Sequence, residues 1–214
     1  MRSPLPQPSR RNEDSLSTPQ YYKGSKRVFD AASGVTTVKL FSGDWYVSAD
    51  ASEMLTTILG SCVSACVRDP IAGIGGMNHF LLPGDETTVS DVSDAARYGV
   101  FAMERLINAI LHAGGQRERL EIKVFGGSNV INNSIRIGSK NAAFIRHFLQ
   151  QEGFRTACED LEGDTPRRVH YFPVTGRVML RKLNRREDLQ VIDDETRYRR
   201  EIAAQPVEGA IDLF

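Results

Sequence analysis

The sequence predicts a layered α/β sandwich in one domain, with mixed, mainly antiparallel strands and two principal helices. Two observations carry that expectation. Apolar runs of strand length, bounded by Gly, Pro or Asp, fill most of residues 36–83 and 120–183. Two longer stretches, near residues 90–113 and 139–152, change to a helical period.

In chain order, "TTVKLFSGDWYVSA" reads as two strands joined by a turn at Ser42-Gly43-Asp44. "MLTTILG", "CVSACVRD" and "IGGMNHFLLP" are further strands, broken by Gly60, by Asp69-Pro70 and by Pro83. From Ser90 onward, Tyr98, Ala102, Leu106 and Ile110 form one stripe, flanked by Met103 and Ile107. Asp91 or Ser93 can cap this helix, and Gly114-Gly115 can end it. "LEIKVFGG" is then a strand, and a second helix starting at Ser139 buries Ala142, Ile145 and Leu149 before stopping at Gly153. "FRTACEDL", "RRVHYFPVTG" and "RVMLRKL" close the domain, the last two as a hairpin around Thr175-Gly176.

The ends differ from this body. Residues 1–34 are rich in Pro, Ser, Gln and Arg without a hydrophobic period, and are expected to be a disordered extension. The domain then runs over 35–184, and 185–214 is a charged C-terminal tail.

Composition narrows the function classes. Charged residues make up 25% and the formal net charge is zero, so the whole molecule is not drawn to nucleic acid or anionic membrane. No apolar run approaches the roughly 20 residues that span a bilayer. The N-terminus has basic residues but no apolar core of a signal peptide. Three cysteines do not form a disulfide framework, so a reducing, cytoplasmic setting is expected.

Chemistry concentrates in "TTILGSCVSACVRDPIAGIGGMNHFLLP", where Cys62 and His79 stand seventeen residues apart. On a strand, Cys62, Ser64 and Cys66 share one face, while Val63, Ala65 and Val67 share the other and look like core. A pairing around Asp69-Pro70 would bring His79 alongside Cys62. A thiol needs such a base or a cation beside it to act as a nucleophile at neutral pH. Two other readings stay open on spacing alone: ordinary packing, and a zinc site of Cys62, Cys66 and His79 with Cys158 or a distant His as fourth ligand. The "GIGG" glycines are not a dinucleotide fingerprint, because no helix follows them.

Elsewhere, Gly126-Gly127-Ser128 and Ile137-Gly138-Ser139 read as tight turns and a helix N-cap, and Asn141 as either a turn stabiliser or a substrate contact. Cys66 and Cys158 are expected to be packing residues. His112 suits a helix C-terminus, and His147 and His170 need no catalytic role. The basic residues from Arg181 to Arg200 alternate with acids as a solvated surface does.

"LGSCVSACVRDP" followed by "GGMNHFLLP", then "VFGGSNV", "IRIGSKN" and "CEDLEGDTPRRVHYFPVTGRVMLRKL", resembles the CheD family of chemoreceptor glutamine deamidases. The likeness runs in one order from Val38 to Leu183 and leaves the tails outside. It implies a CheD-like fold in which Cys62 is the nucleophile, His79 its histidine, and Thr56, six residues before the cysteine, the third catalytic position. The implied reaction converts glutamine side chains of methyl-accepting chemotaxis receptors to glutamate, releasing ammonia through a thioester, with no metal or organic cofactor. Implied partners are those receptors and a CheC-type phosphatase; nucleic acid and membrane insertion are not expected, and a monomer is. The competing class is an adaptor that binds receptor or phosphatase without turnover.

Overall fold

Alternation in the central strands sets the layers. The structure, a computed structural model, describes residues 26–82, 89–130 and 136–183 together with Arg197. Its strands are β1 (Lys26–Asp30), β2 (Val35–Lys39), β3 (Trp45–Ser48), β4 (Glu53–Leu59), β5 (Val63–Asp69), β6 (Ile74–Asn78), β7 (Glu121–Gly126), β8 (Thr156–Leu161), β9 (Arg167–Phe172) and β10 (Arg177–Lys182). The helices are α1 (Val89–His112) and α2 (Ile137–Gln151).

The strands form two five-stranded sheets, ordered β1-β2-β4-β9-β10 and β3-β6-β5-β7-β8. Among the described residues the parallel neighbours are β2–β4 and β7–β8, and the other pairings are antiparallel. Both helices pack on the second sheet. The result is three layers, sheet on sheet on helices, as expected for a mixed α/β sandwich.

In β5, Val63, Ala65 and Val67 face the helices with Met103, Leu106, Ile110, Ile145 and Leu149. Cys62 and Cys66 face the first sheet, among Leu55, Leu59, Met77, Val169 and Tyr171. The expectation that only the Val-Ala-Val face was core is therefore corrected: a middle layer has no solvent side, so β5 is apolar on both faces.

The β5–β6 turn is held by one carboxylate. Asp69 Oδ1 accepts from the Ile71 and Ala72 amides at 2.9 and 3.1 Å, and Oδ2 from the Gln116 amide at 2.9 Å and Arg119 Nε at 2.8 Å. Burial alone would raise Asp69, but the Arg119 guanidinium and these amides outweigh it and hold the carboxyl at about 2.

Two boundaries differ from expectation. Lys26–Asp30 lies inside the segment expected to be disordered but forms β1, paired along β2. Its turn is built by Asp30, whose carboxylate accepts from Ala32 N–H and the Ser33 hydroxyl, with Gly34 at φ +69°. Arg27 then pairs with buried Glu53, which also accepts from the Tyr46 hydroxyl. Residues 1–25 of the expected extension, residue 184 and the expected tail 185–214, Arg197 apart, lie outside the described residues. Helix α2 starts at Ile137, with Arg136 as its N-cap residue, so Ser139 is inside the helix rather than at its cap. The capping expected of Asp91 or Ser93 falls on side chains outside the described ones.

Candidate active site

The turn Gly60-Ser61-Cys62 joins β4 in one sheet to β5 in the other, which places the thiol at the seam between them. The exit of β7 clamps this turn. Gly127 N–H donates to the Cys62 carbonyl at 2.7 Å, and Ser128 N–H to the Gly60 carbonyl at 2.8 Å. Gly126 has φ +111°, and a Cβ there would stand 2.2 Å from the Cys62 carbonyl oxygen. Only glycine fits that conformation and that approach together.

Buried Asn141, left open from sequence, ties the two halves of the site. Its Nδ2 donates to the Ser61 carbonyl at 2.9 Å, and its Oδ1 accepts from Leu82 N–H at 2.9 Å. Buried Arg167 supports the clamp from behind, donating to Ser128 Oγ at 2.8 Å and pairing with Asp160.

His79 follows β6 directly. The pairing across Asp69-Pro70 continues past the strand end as a bridge between Val63 and Phe80, so His79 lies diagonally across from Cys62. Between bridge and strand, Asn78 replaces a rung: its Oδ1 accepts from Ala65 N–H at 2.9 Å. The chain splays there and frees the imidazole to cross the layer between sheets.

There His79 meets Thr57. The Thr57 hydroxyl donates to the Leu40 carbonyl at 2.9 Å, leaving its oxygen to accept from His79 Nδ1–H at 2.7 Å. That arrangement places the ring proton on Nδ1 and makes Nε2 the acceptor. Ser42 Oγ stands 3.0 Å from Nε2 and 3.5 Å from Cys62 Sγ. Burial pushes His79 down to about 3, against an opposing pull from the Leu40 carbonyl, so the imidazole is neutral at physiological pH.

The structure brings Cys62 and His79 together but not Thr56. The Thr56 hydroxyl donates to the Val169 carbonyl at 3.0 Å, and Thr56 pairs in register with His170. The reason is the two-residue period of β4: Leu55, Thr57 and Leu59 are buried against the second sheet, while Met54, Thr56 and Ile58 take the outer face. The threonine at the imidazole is thus Thr57. Sequence reasoning also missed Ser42, which it treated only as part of a turn.

The other candidates divide. Cys66 is buried as expected, and burial pushes its thiol far above the ordinary range. Cys158 is exposed, which corrects the expectation of a packing role, because β8 is an edge strand whose middle residues, Ala157 to Glu159, are exposed on both faces. Among the described residues, no three His, Cys, Asp or Glu side chains are grouped as a metal centre requires, so the zinc reading finds no support in the geometry. A buried thiol, a bridging hydroxyl and a neutral imidazole with its acceptor nitrogen on the thiol side form an arrangement suited to nucleophilic acyl chemistry.

Comparison with known proteins agrees with that class. Residues 81–182 match the family model for CheD, described as chemotactic sensory transduction. A Rhodopseudomonas palustris protein named "Probable chemoreceptor glutamine deamidase CheD" is 51% identical over 88% of this chain and 89% of its own. Proteins of the same name from Hydrogenovibrio crunogenus and Hahella chejuensis are 46% and 43% identical, over 88% and 93% of this chain and 100% and 94% of theirs. The chain belongs to the CheD family. The family model begins just beyond His79, but alignments over 88% of the chain cannot omit the segment that carries Cys62 and His79. Among the described residues no helix is long and apolar enough to cross a membrane.

Proposed function

We propose that this protein is a protein-glutamine deamidase acting on chemoreceptors, with Cys62 as nucleophile, His79 as base and acid, and Thr57 in the orienting position expected of Thr56. The observation that carries this reading is the hydrogen-bonded line from Cys62 through Ser42 and His79 to Thr57, in a chain whose relatives bear the deamidase name.

The chemistry follows from the groups. As the Cys62 proton passes to His79 Nε2, sulfur attacks the glutamine carboxamide carbon and the carbonyl oxygen takes up charge. The imidazolium returns its proton to the departing nitrogen, and ammonia leaves a thioester. Water then adds to the thioester carbonyl with its proton taken by Nε2. Collapse expels the thiol and leaves glutamate. Thr57 keeps Nδ1 as the protonated nitrogen throughout, which is what lets Nε2 cycle. Every step uses groups of the protein, substrate and water.

The substrate is a receptor segment outside any bilayer, met by a cytoplasmic monomer. A CheC-type phosphatase is a second partner, supported by the sequence resemblance alone.

The test is mass spectrometry of a receptor cytoplasmic fragment incubated with the wild type, Cys62→Ala and His79→Ala. Glutamine-to-glutamate conversion by the wild type that vanishes in both variants is expected. Receptor binding without conversion by the wild type would instead make the protein an adaptor.

A further inference from the structure

The turn before β3 is bonded to the backbone of His79 itself. Gly43 N–H donates to the His79 carbonyl at 2.7 Å, and His79 N–H to the Asp44 carbonyl at 2.9 Å. Buried Asp44 closes the turn from within, its Oδ2 accepting from Phe41 N–H at 2.8 Å and its own N–H donating to the Phe41 carbonyl at 3.0 Å. Gly43, at φ +90°, allows the reversal. Ser42, at the tip, therefore cannot shift relative to the imidazole without breaking a pair of main-chain bonds. Its hydroxyl sits between Sγ and Nε2 at 3.5 and 3.0 Å.

We infer that Ser42 is a catalytic residue, the hydroxyl that carries the proton between the Cys62 thiol and His79 Nε2. The inference rests on the deamidase reading and deepens it. A hydroxyl is the simplest side-chain group that accepts and donates at once. With Nδ1–H given to Thr57, Nε2 accepts the Ser42 O–H, and Ser42 oxygen is free to accept the Cys62 S–H. When the thiol reacts, its proton moves to Ser42 oxygen as the Ser42 proton moves to Nε2 and sulfur bonds to the carboxamide carbon, leaving an unchanged serine, an imidazolium and the negative charge on the carboxamide oxygen. The reverse transfer delivers the proton to the leaving nitrogen or regenerates the thiol.

The arrangement also answers an energetic difficulty. A buried imidazole held at about 3 is a poor acceptor for a full, separated charge in the resting protein. A concerted shift along a neutral line defers charge separation until sulfur bonds to carbon. Cys62 and His79 are buried while Ser42 is half-buried, so the line reaches the surface at its hydroxyl.

The test compares Ser42→Ala and Ser42→Thr with the wild type on two readouts, receptor-fragment deamidation and alkylation of Cys62 by iodoacetamide. Ser42→Ala should lower kcat by about 100-fold or more, the lower end of the usual range of acid–base catalysis, with KM and melting temperature little changed. Ser42→Thr, which keeps the hydroxyl, should recover most of the loss. In alkylation, Ser42→Ala and His79→Ala should slow the reaction alike, and the double variant no further. Wild-type kcat in Ser42→Ala, or losses that multiply in the double variant, would overturn the inference. Should the wild type fail to deamidate the fragment, the deamidase reading falls, and the alkylation cycle still decides whether Ser42 links Cys62 to His79.

Discussion

Thr57 Oγ1 lies 2.7 Å from Nδ1 of His79, a contact made across the layer between two sheets. The neighbouring threonine faces the opposite side of the same strand, where its hydroxyl is satisfied by the Val169 carbonyl. Substitution to valine separates the two because it removes each hydroxyl at nearly constant shape. Thr57→Val should lower kcat by about 10- to 100-fold, the usual cost of losing an outer partner of a working histidine, and Thr57→Ser should restore most of it. Thr56→Val should leave kcat near the wild-type value. Steady-state kinetics on a receptor fragment decides between them.

His79 also sets a pH dependence of stability. In the unfolded chain its imidazole titrates near 6.5, whereas in the fold burial holds it at about 3. Between those values the unfolded state binds more protons, so stability rises with pH and is lost as pH falls from about 6.5 toward 3. One such group contributes a slope of up to about 1.4 kcal/mol per pH unit. Urea denaturation of the wild type should show stability falling between pH 7 and 5, and His79→Gln should flatten that fall. The acid limb of kcat/KM should lie well below 6 for the same reason.

The strands and helices were legible because their signal is local. Alternation and length marked β2 to β10, and Leu106, Ile110 and Ile145 marked the buried faces of the helices. What escaped depends on neighbours distant in sequence. Nothing local distinguishes Thr56 from Thr57, since Leu55 and Ile58 on either side are equally apolar; the second sheet decides which face is inward. Strand β1 is short and exposed, and holds through β2 and through Arg27 on Glu53 rather than through a hydrophobic face. Ser42 looked like a turn residue because it is one; only the register that brings His79 beneath that turn gives its hydroxyl a second use. Cys158 read as packing from its residue type, but the middle of edge strand β8 is exposed on both faces.

Asn141 should be needed for the placement of Cys62 rather than for contact with substrate. Asn141→Ala leaves the Ser61 carbonyl and the Leu82 amide without their partner, at about 1–3 kcal/mol for each buried group. Asn141→Asp retains an acceptor for Leu82 but turns a second acceptor toward the Ser61 carbonyl. Both variants should unfold at lower urea and lose kcat, with the aspartate no better than the alanine. A variant that keeps wild-type stability while KM rises would instead make Asn141 a substrate contact.

Asp69 offers the converse, a residue remote from the thiol whose loss should cost stability and spare chemistry. Its carboxylate holds the β5–β6 turn to the segment after α1, and that turn fixes the register that sets His79 diagonally from Cys62. Its folded value, about 2, lies below the ordinary 3.8, so its contribution is present above about 4 and lost as pH falls toward 2. Asp69→Ala should therefore destabilise the fold at pH 7 by about 3 kcal/mol, the lower end for breaking a buried pair because Arg119 is partly exposed. Arg119→Met alone should cost less, since the amides still satisfy Asp69. If the turn acts only by holding register, the folded fraction of Asp69→Ala at low temperature should keep wild-type kcat. A loss of kcat in molecules shown to be folded by circular dichroism would mean instead that the turn relaxes without unfolding, and that His79 moves with it.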